Sequence, residues 1–393
     1  MSAFIGTPKL FWPLALSIIF ISPLLNGNDA ARKQELEKRI DFLEGIPDPK
    51  TQMINPPVRP IVKDGLGLFL QADALIWQAS ESNLGYGVQN INGTTFLNDG
   101  EILTPHFEWN WGFKAGLGYN TPFDGWDMFF QWTRFYTNNS EHGVSAEQNG
   151  VIYPTYVNAE LPLVIRGNQP GPVQSGFQGA SSYWNLKLNL LDGELGREFH
   201  VRKWLALRPY AGLRSAWLRQ HFHVNYMSGA VFSGTLLRPF TGQTISVHMR
   251  NNFWGLGPRG GVSSTWGFGE GFSAFGDLAP AILFGHFKIA QFETRTTVSP
   301  EEKRLSIDEE FFTARATLDM VIGLCYESLL AEDRYCLKLQ LAWEQHYFFN
   351  QNQLMKFPTT AGLGIGRDYE GLFVTNHGDI DTHGVTISAR FDF

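Results

Sequence analysis

Apolar and polar side chains alternate with a period of two along most of the chain from Gly65 to the C-terminus. Residues 107–119, FEWNWGFKAGLGY, show the pattern most clearly. One series is Phe107, Trp109, Trp111, Phe113, Ala115, Leu117 and Tyr119, and the other is Glu108, Asn110, Gly112, Lys114, Gly116 and Gly118. Such alternation is typical of a β-strand with one apolar face. That face contacts either the core of a soluble sheet or the hydrocarbon of a membrane.

Composition favours the membrane. Aromatic residues make up 14% of the 393 residues and charged residues only 18%. The mean hydropathy is −0.16, and after residue 25 no apolar run approaches the roughly 20 residues that a spanning helix needs. These properties are typical of a membrane β-barrel, whose inward side chains dilute its hydropathy. A large soluble all-β protein also fits the composition alone, whereas the net charge of −7 argues against nucleic acid as a partner.

The alternating segments number ten, and the connections between them differ in length. The segments are 66–76, 107–119, 126–132, 184–190, 205–217, 254–266, 272–284, 312–326, 335–343 and 385–393. Short connections lie near 120–125, 198–203, 268–270 and 328–333, and long polar ones near 79–105, 138–181, 220–243, 291–308 and 350–378. Short turns on one side and long loops on the other are typical of outer-membrane barrels. The sequence predicts an all-β fold, a transmembrane antiparallel up-and-down β-barrel of about 10 strands (8–14), over residues 65–393.

Two segments precede the barrel. Residues 1–30 contain Lys9, an apolar stretch broken by proline, and a polar end near Ala30, which predict a cleaved signal peptide; an uncleaved anchor is the alternative. Residues 31–64 contain a short amphipathic helix and a proline-rich linker on the periplasmic side. That helix is either a solvated single helix or the start of a coiled coil that forms a homo-oligomer such as a trimer.

The last strand carries a specific signal. Five alternate positions at the C-terminus are apolar and end in an aromatic residue: Val385, Ile387, Ala389, Phe391 and Phe393. This arrangement resembles the assembly signal of bacterial outer-membrane proteins. It implies the barrel-assembly machinery and the outer-membrane lipid, including lipopolysaccharide, as partners. Lipid is therefore the expected neighbour of the apolar face, and the bacterial outer membrane the expected location.

The opposite face of the strands supplies charges of both signs. The predicted lumen-facing residues are Asp73, Glu108, Lys114, Lys187, Arg208, Arg214, Arg259, Asp277, Arg315, Asp319, Lys338, Glu344, Arg390 and Asp392. They either pair and hold a small barrel closed, or line a wet path that selects solutes. A barrel of ten strands lies near the size that side chains can fill, so at most a narrow passage is expected. Because positively charged side chains slightly outnumber negatively charged ones in this set, a passage through the barrel is expected to prefer anions.

Cys325 and Cys336 are the only cysteines. Both belong to the inward series of neighbouring strands, and their numbers lie symmetrically about the turn near 328–333. A cross-strand disulfide is expected in an oxidising periplasm. Two free thiols or an intermolecular link are the alternatives.

Other chemical motifs are weak. His377, Asp379, Asp381 and His383 alternate on one strand face, which suits a metal site or a surface hydrolase, but this face becomes the lipid-facing one at Val385. The glycines of 362–371 lack the strand–helix frame of a nucleotide site. His221 and His223 are expected at the barrel rim. The sequence thus predicts no enzyme, no metal and no cofactor.

Several stretches resemble the Legionella-type major outer membrane protein family, which also occurs in environmental chlamydiae. They include WGFKAGLGYNTPFDGWDMFFQWTRF (111–135), LALRPYAGLRSAWL (205–218) and GVTISARFDF (384–393). The resemblance covers the chain from about residue 65 to its end and implies a pore-forming barrel for passive diffusion of small solutes in a Gram-negative bacterium. It carries no catalytic residues. A sealed barrel that displays loops 138–181 and 350–378 for adhesion or host contact is the second hypothesis.

Overall fold

The computed structural model describes residues 58–59, 62–90, 100–145, 151–157, 175–233, 236–296, 302–357 and 373–393. The chain divides into two units, Met1–Gln52 and Met53–Phe393, and the described residues belong to the second. The predicted signal peptide and the predicted helix lie outside the described residues. Among the described residues there is no helix long and apolar enough to cross a membrane.

The described part of the chain contains seventeen strands. They are β1 (Leu68–Glu81), β2 (Gly87–Asn90), β3 (Gly100–Leu103), β4 (Trp109–Asn120), β5 (Trp126–Tyr136), β6 (His142–Ser145), β7 (Val151–Pro154), β8 (Ser175–Arg197), β9 (Phe199–Arg202), β10 (Leu205–Ser233), β11 (Leu236–Gly269), β12 (Phe272–Thr296), β13 (Glu302–Leu330), β14 (Tyr335–Asn352), β15 (Met355–Lys356), β16 (Val374–Thr375) and β17 (Gly378–Asp392). Ten of these strands form the barrel, and the seven short strands lie in the segments that connect them.

The ten barrel strands pair in a closed antiparallel ring. The order around the ring is β1, β4, β5, β8, β10, β11, β12, β13, β14 and β17, and β17 pairs with β1 again. At this seam Leu70 lies opposite Phe391, and the backbone N–H of Phe393 donates to the carbonyl of Leu68 over 3.0 Å. A closed ring leaves no unpaired edge in the membrane. The predicted ten-stranded barrel is confirmed.

The outer face of the ring is apolar where the inner face is charged. Trp111 on β4 is 71% exposed and Phe284 on β12 is 63% exposed. On the inner face Asp73 lies directly opposite Lys114, and both side chains are buried. A soluble sheet would have buried its tryptophans and exposed its charges. The outward aromatic belt instead matches a wall that lipid solvates.

This polarity reverses along the longer strands. On β10, Leu213 and Trp217 point outward and Arg214 points inward. A few residues further, Arg219 points outward and Leu218 is buried inside. The same change occurs on β12, where exposed Phe284 is followed by exposed Lys288, and buried Phe287 lies inside. Hydrocarbon surrounds the first part of β10 and β12 and water the second, and on their antiparallel neighbours the order is reversed. The strands therefore extend beyond the membrane as a folded β-structure with a largely apolar interior.

The reversal overturns two sequence-based assignments of loops. Residues 220–243 and 291–308 were expected as long loops, but β10 and β11 extend to Ser233 and Leu236, and β12 and β13 to Thr296 and Glu302. Polar residues on the outer face suggested loops. They are the water-facing side of strands that have left the bilayer.

The same reversal corrects the assignment of faces on β8. Trp184, Leu186, Leu188 and Leu190 were expected to face lipid, but all four are buried inside. Lys187, predicted to line the lumen, is exposed on the outer wall. Alternation identifies two faces, but only the surroundings decide which of them is turned inward.

The predicted long loops near 79–105, 138–181 and 350–378 contribute to the apolar interior. Their described parts supply Leu84, Tyr86, Leu103, Ile152, Tyr156, Val157 and Leu354 to the cluster that contains Trp184 and Phe222. Within two of these loops β2 pairs with β3 on one side and with β7 on the other. Loop and strand residues therefore form one hydrophobic core at the end of the barrel opposite the short turns.

The expected disulfide is absent from the structure, where both cysteines are buried free thiols. The tight turn is formed by residues 331–334, and Leu330 lies opposite Tyr335. This register places Cys325 opposite Gln340 and Cys336 opposite Leu329. Four positions along a strand correspond to about 13 Å, which exceeds the reach of a disulfide. The sequence estimate centred the turn two residues too early, so the predicted pairing is wrong in this hairpin.

Deleting Phe393 tests the seam. The deletion removes the hydrogen bond to Leu68 and an outward aromatic ring that lies 6.2 Å from the ring of Phe391. We expect a smaller assembled fraction, measured by heat-modifiable gel mobility of outer-membrane fractions. Lys203→Ala, at an exposed turn position, is the control and should assemble normally. Assembly of the deletion variant at the level of the parent would contradict a role of this residue in closing the ring.

Candidate functional site

Arg214 lies at the centre of a charged layer inside the barrel. Its side chain is 2% exposed. Its Nε and Nη2 donate to the carboxylate of Asp192 over 2.7 and 2.8 Å, and its Nη1 and Nη2 donate to Asp319 over 3.0 and 2.6 Å. Paired N–H···O bonds of this kind fix both distance and orientation. One guanidinium thus joins β8 to β13 across the lumen.

Two further arginines extend the layer. Arg259 on β11 donates to Asp319 over 3.0 Å and forms an ion pair with Glu194. Arg208 on β10 shares Glu194 over 3.3 Å and binds Asp127 through Nε at 2.9 Å. Each carboxylate that has two arginine partners links separate strands. The ion pairs therefore continue from β13 to β5 without interruption.

The layer also continues in the other direction. His346 on β14 contacts Asp319 through Nδ1 at 2.8 Å and Glu344 through Nε2 at 3.1 Å. Glu344 forms an ion pair with Lys114 on β4, whose Nζ lies 5.1 Å from the ring centroid of Trp77. Members of this layer come from β4, β5, β8, β10, β11, β13 and β14. We call it the ion-pair layer: Lys114, Asp127, Asp192, Glu194, Arg208, Arg214, Arg259, Asp319, Glu344 and His346.

Several predicted lumen residues belong to the ion-pair layer, and others lie elsewhere. Lys114, Arg208, Arg214, Arg259, Asp319 and Glu344 are members, and Asp73 lies beside it with hydrogen bonds from Gln71 and Gln131. Asp277 accepts from the hydroxyl of Tyr210 over 2.8 Å, and Arg390 pairs with Asp392 over 2.7 Å. Lys338 lies opposite Arg390.

Two predicted lumen residues lie outside this layer, at its outer side. Arg315 stacks over the ring of Phe287, with 5.1 Å between its Cζ and the ring centroid. Glu108 precedes β4 and accepts from the backbone N–H of Ser140 over 3.2 Å, outside the lumen.

Sequence reasoning missed Asp127, Asp192, Glu194 and His346. Asp192 and Glu194 continue the series of Leu188 and Leu190, which had been assigned to lipid. His346 follows Glu344 by two positions and so shares its face, which the alternation alone could have revealed. Asp127 stands at the start of β5 next to the turn.

Apolar side chains close the lumen beyond the ion-pair layer. Trp77 is fully buried, and its ring lies 4.8 Å from the ring of His346 and 5.5 Å from that of Phe135. The ring centroids of Phe253 and Phe287 lie 4.6 Å apart, with the rings tilted by 41°. On the other side of the layer, towards the short turns, Lys338 and Arg390 are partly exposed, whereas Phe69, Tyr210 and both cysteines are buried. The described lumen is therefore filled from the ion-pair layer outward, by apolar side chains together with buried polar ones such as Glu81 and Gln220, and is only partly open towards the short turns.

The four residues considered for a metal site or a hydrolase, His377, Asp379, Asp381 and His383, instead form hydrogen bonds with one another and with residues of neighbouring segments. The backbone N–H of Asn350 donates to Asp379 over 2.8 Å, the carbonyl of His377 accepts from Asn83 over 2.7 Å, and His383 contacts Asp381 over 3.0 Å. Among the described residues no group of three or more His, Cys, Asp or Glu side chains could hold a metal ion. The glycine-rich stretch 362–371 lies outside the described residues.

The predicted rim histidines lie on the outer wall beyond the lipid belt. The ring of His223 lies 3.9 Å from that of His248 on the neighbouring strand.

Comparison with known families identifies the barrel. The profile of the family described as Legionella pneumophila major outer membrane protein precursor matches residues 66–393. The chain belongs to this family. The barrel of this family member therefore resides in the bacterial outer membrane, which agrees with its lipid-facing belt. The predicted family and location are confirmed.

Solved structures resemble this family member only distantly. They include the outer membrane protease OmpT from Escherichia coli (8% identity, 83% of this chain and 96% of that chain, TM-score 0.35) and a Pseudomonas aeruginosa FadL homologue (8%, 83% and 89%, 0.24). A third is the Pseudomonas putida toluene transporter TodX (8%, 86% and 92%, 0.20). These likenesses are too weak to indicate an activity. No curated protein matches the chain.

Removing Arg214 tests the ion-pair layer. Arg214→Leu leaves the carboxylates of Asp192 and Asp319 buried without their main partner, so we expect a loss of about 3–5 kcal/mol in the free energy of unfolding. Urea unfolding in phospholipid vesicles measures it. Adding Asp192→Asn should recover part of the loss, because it removes the carboxylate that has lost its arginine, whereas Asp319 keeps Arg259 and His346. Lys288→Leu, on the exposed outer wall, is the control; an equal loss in both single variants would contradict the central position of Arg214.

Proposed function

We propose that this barrel is closed to the free passage of solutes and serves to display a folded β-structure with its loops at the cell surface, for adhesion or host contact. The observation that carries the proposal is the position of Arg214. Its side chain is 2% exposed and bonded to Asp192 on the neighbouring strand β8 and to Asp319 on β13, across the lumen. A diffusion channel would require water at this place.

The hydrophobic core beyond the ion-pair layer is a second observation that supports a closed barrel. A pore with an apolar constriction expels water even where some space remains. Beyond the ion-pair layer the lumen contains buried Trp77, Phe135, Leu188 and Leu218, together with side chains of the loops. Solute passage would require this core to unpack as well as the ion pairs to break. Two independent barriers therefore lie in series.

The displayed part has the surface of a water-soluble protein. Above the lipid belt its outer wall is polar, with Arg219 and His221 on β10 and Lys288 on β12. Strands β10 and β11 continue to Ser233 and Leu236, well beyond the aromatic belt. Long connections face the cell exterior in outer-membrane barrels. This arrangement supports recognition by another surface.

A narrow pore for small solutes is the second candidate, and one observation favours it. On the short-turn side of the ion-pair layer Lys338 and Arg390 are partly exposed in the lumen, and Arg390 pairs with the buried Asp392. A charged vestibule of this kind suits an aqueous path that selects ions. Passive diffusion would then depend on rearrangement of the layer. Neither candidate requires a catalytic reaction, and we assign none.

Conductance separates the two candidates. Purified protein inserted into planar bilayers, with folding verified by heat-modifiable mobility, should show no steady channel events across repeated insertions. Heat-denatured protein at the same concentration is the control for leaks. Reproducible stepwise currents from the folded protein alone would favour the pore and overturn the closed barrel.

Surface labelling tests the display. In a Cys325→Ala/Cys336→Ala background, Lys288→Cys on the outer wall should react with a membrane-impermeant maleimide on intact cells. Lys203→Cys, at a short turn on the opposite end, should react only after the outer membrane is opened. The reverse order of labelling would place the polar outer wall in the periplasm and exclude the proposed display.

A further inference from the structure

A cationic patch covers the outer wall directly above the lipid belt on one side of the barrel. It consists of Arg134 on β5, Lys187 on β8, Arg219 and His221 on β10, and Arg250 on β11. These four strands are neighbours in the ring. Arg134, Lys187, Arg219 and Arg250 are exposed, and His221 is half-buried.

Like charges face each other within this patch. Lys187 lies directly opposite Arg219, and His221 lies opposite Arg250. Side chains at directly opposite positions have Cβ atoms about 4.5–5.5 Å apart, and like charges placed so destabilise a sheet. Among the described residues none of the five patch side chains forms an ion pair with a carboxylate. If these residues had no role besides forming the wall, a neutral residue in place of one member of each pair would make the barrel more stable.

The outward faces of β10 and β11 carry no carboxylate near the patch, and the carboxylate that lies beyond it, Glu141, accepts from Ser181 and Asn225 and not from a patch residue. The described outward residues of β10 from Ala211 to Asn225 and of β11 from Ser246 to Pro258 are apolar, aromatic, polar or basic. On the other side of the ring the situation differs, because Lys288 pairs with Glu310 over 2.6 Å. Among the described residues the patch side chains therefore have no carboxylate partner, whereas Lys288 has one.

Aromatic side chains set the level of the patch relative to the bilayer. Trp217 and Trp254 lie opposite each other, two positions before Arg219 and Asn252, and belong to the exposed apolar belt. The Nζ of Lys187 lies 5.2 Å from the ring centroid of Tyr136. Aromatic girdles mark the membrane interface of such barrels. Two strand positions above them, about 7 Å, is the level of lipid headgroups.

We propose that this patch binds the phosphate groups of a phosphorylated outer-leaflet glycolipid, lipopolysaccharide, whose acyl chains lie against the aromatic belt below. Phosphate oxygens between Lys187 and Arg219 convert the repulsion of the pair into two charge-assisted contacts. Arg134 and Arg250 flank this position on the neighbouring strands. Lipid occupies the patch because the apolar belt directly below it holds the chains of the same molecule.

Binding of lipopolysaccharide to the purified barrel tests the proposal. Full-length protein is refolded in lipopolysaccharide-free detergent and titrated with rough lipopolysaccharide, with dephosphorylated lipopolysaccharide and with inorganic phosphate. The variant Lys187→Gln/Arg219→Gln/Arg250→Gln should bind the intact lipid at least tenfold more weakly than the parent. The control Arg202→Gln/Lys203→Gln/Lys288→Gln removes the same number of exposed positive charges elsewhere and should bind like the parent.

The outcomes distinguish the source of the phosphate. Loss of binding on dephosphorylation, with no competition by millimolar inorganic phosphate, supports a lipid site. Equal binding of dephosphorylated lipid would mean that acyl chains alone are recognised, and competition by inorganic phosphate would mean a free-anion site; either result overturns the proposal. So does unchanged binding by the patch variant.

Thermal stability gives a second readout, in which the melting temperature without lipid and its increase on addition of lipid are expected to change in opposite directions. Without lipid, Arg219→Gln should raise the melting temperature, because it relieves the repulsion with Lys187. With lipopolysaccharide present, the same variant should show a smaller lipid-induced increase than the parent. A residue that serves only the structure of the wall would shift both measurements in the same direction, which would contradict a binding role.

Discussion

Backbone polar groups in hydrocarbon have no water to bond with, so each must find a partner inside the protein. The ten antiparallel strands satisfy this by closing on themselves through the pairing of β1 with β17. Everything else follows from that ring. It turns one side of every strand to the lipid and the other to an enclosed space, and it fixes which side chains meet across that space.

The surroundings change along the strands, and the side chains change with them. In the bilayer the outer face is aromatic and the inner face charged; above it the outer face is polar and the inner face apolar. Trp217 and Arg219 are separated by two positions on one strand and lie on opposite sides of this boundary. The barrel is thus a membrane protein and a soluble β-structure built from the same continuous strands.

The enclosed charges are stabilised by one another. Taking a carboxylate or guanidinium out of water costs several kcal/mol, which only close pairing and further hydrogen bonds offset. Asp319 meets this requirement with Arg214, Arg259 and His346. Because these partners come from different strands, the ion-pair layer also determines how the wall is held together across the lumen. The cationic patch outside has no such internal partners, and it lies where the membrane can supply them.

The amino-acid sequence alone determined the fold class, the strand number, the family and the lipid-facing side of most membrane segments, because these depend on a period of two and on local apolar character. It also placed Lys114, Arg214, Arg259, Asp319 and Glu344 inside the barrel. Only the tertiary structure decided that Leu188 faces inward while Lys187 faces outward, since alternation is the same whichever side water lies on. Only the structure decided that Cys325 and Cys336 lie apart, because a shift of two residues in a turn changes every pair in a hairpin. The closure of the lumen depends on which of several charges meet, and that depends on contacts between residues up to 230 positions apart, such as Lys114 and Glu344, which no local pattern encodes.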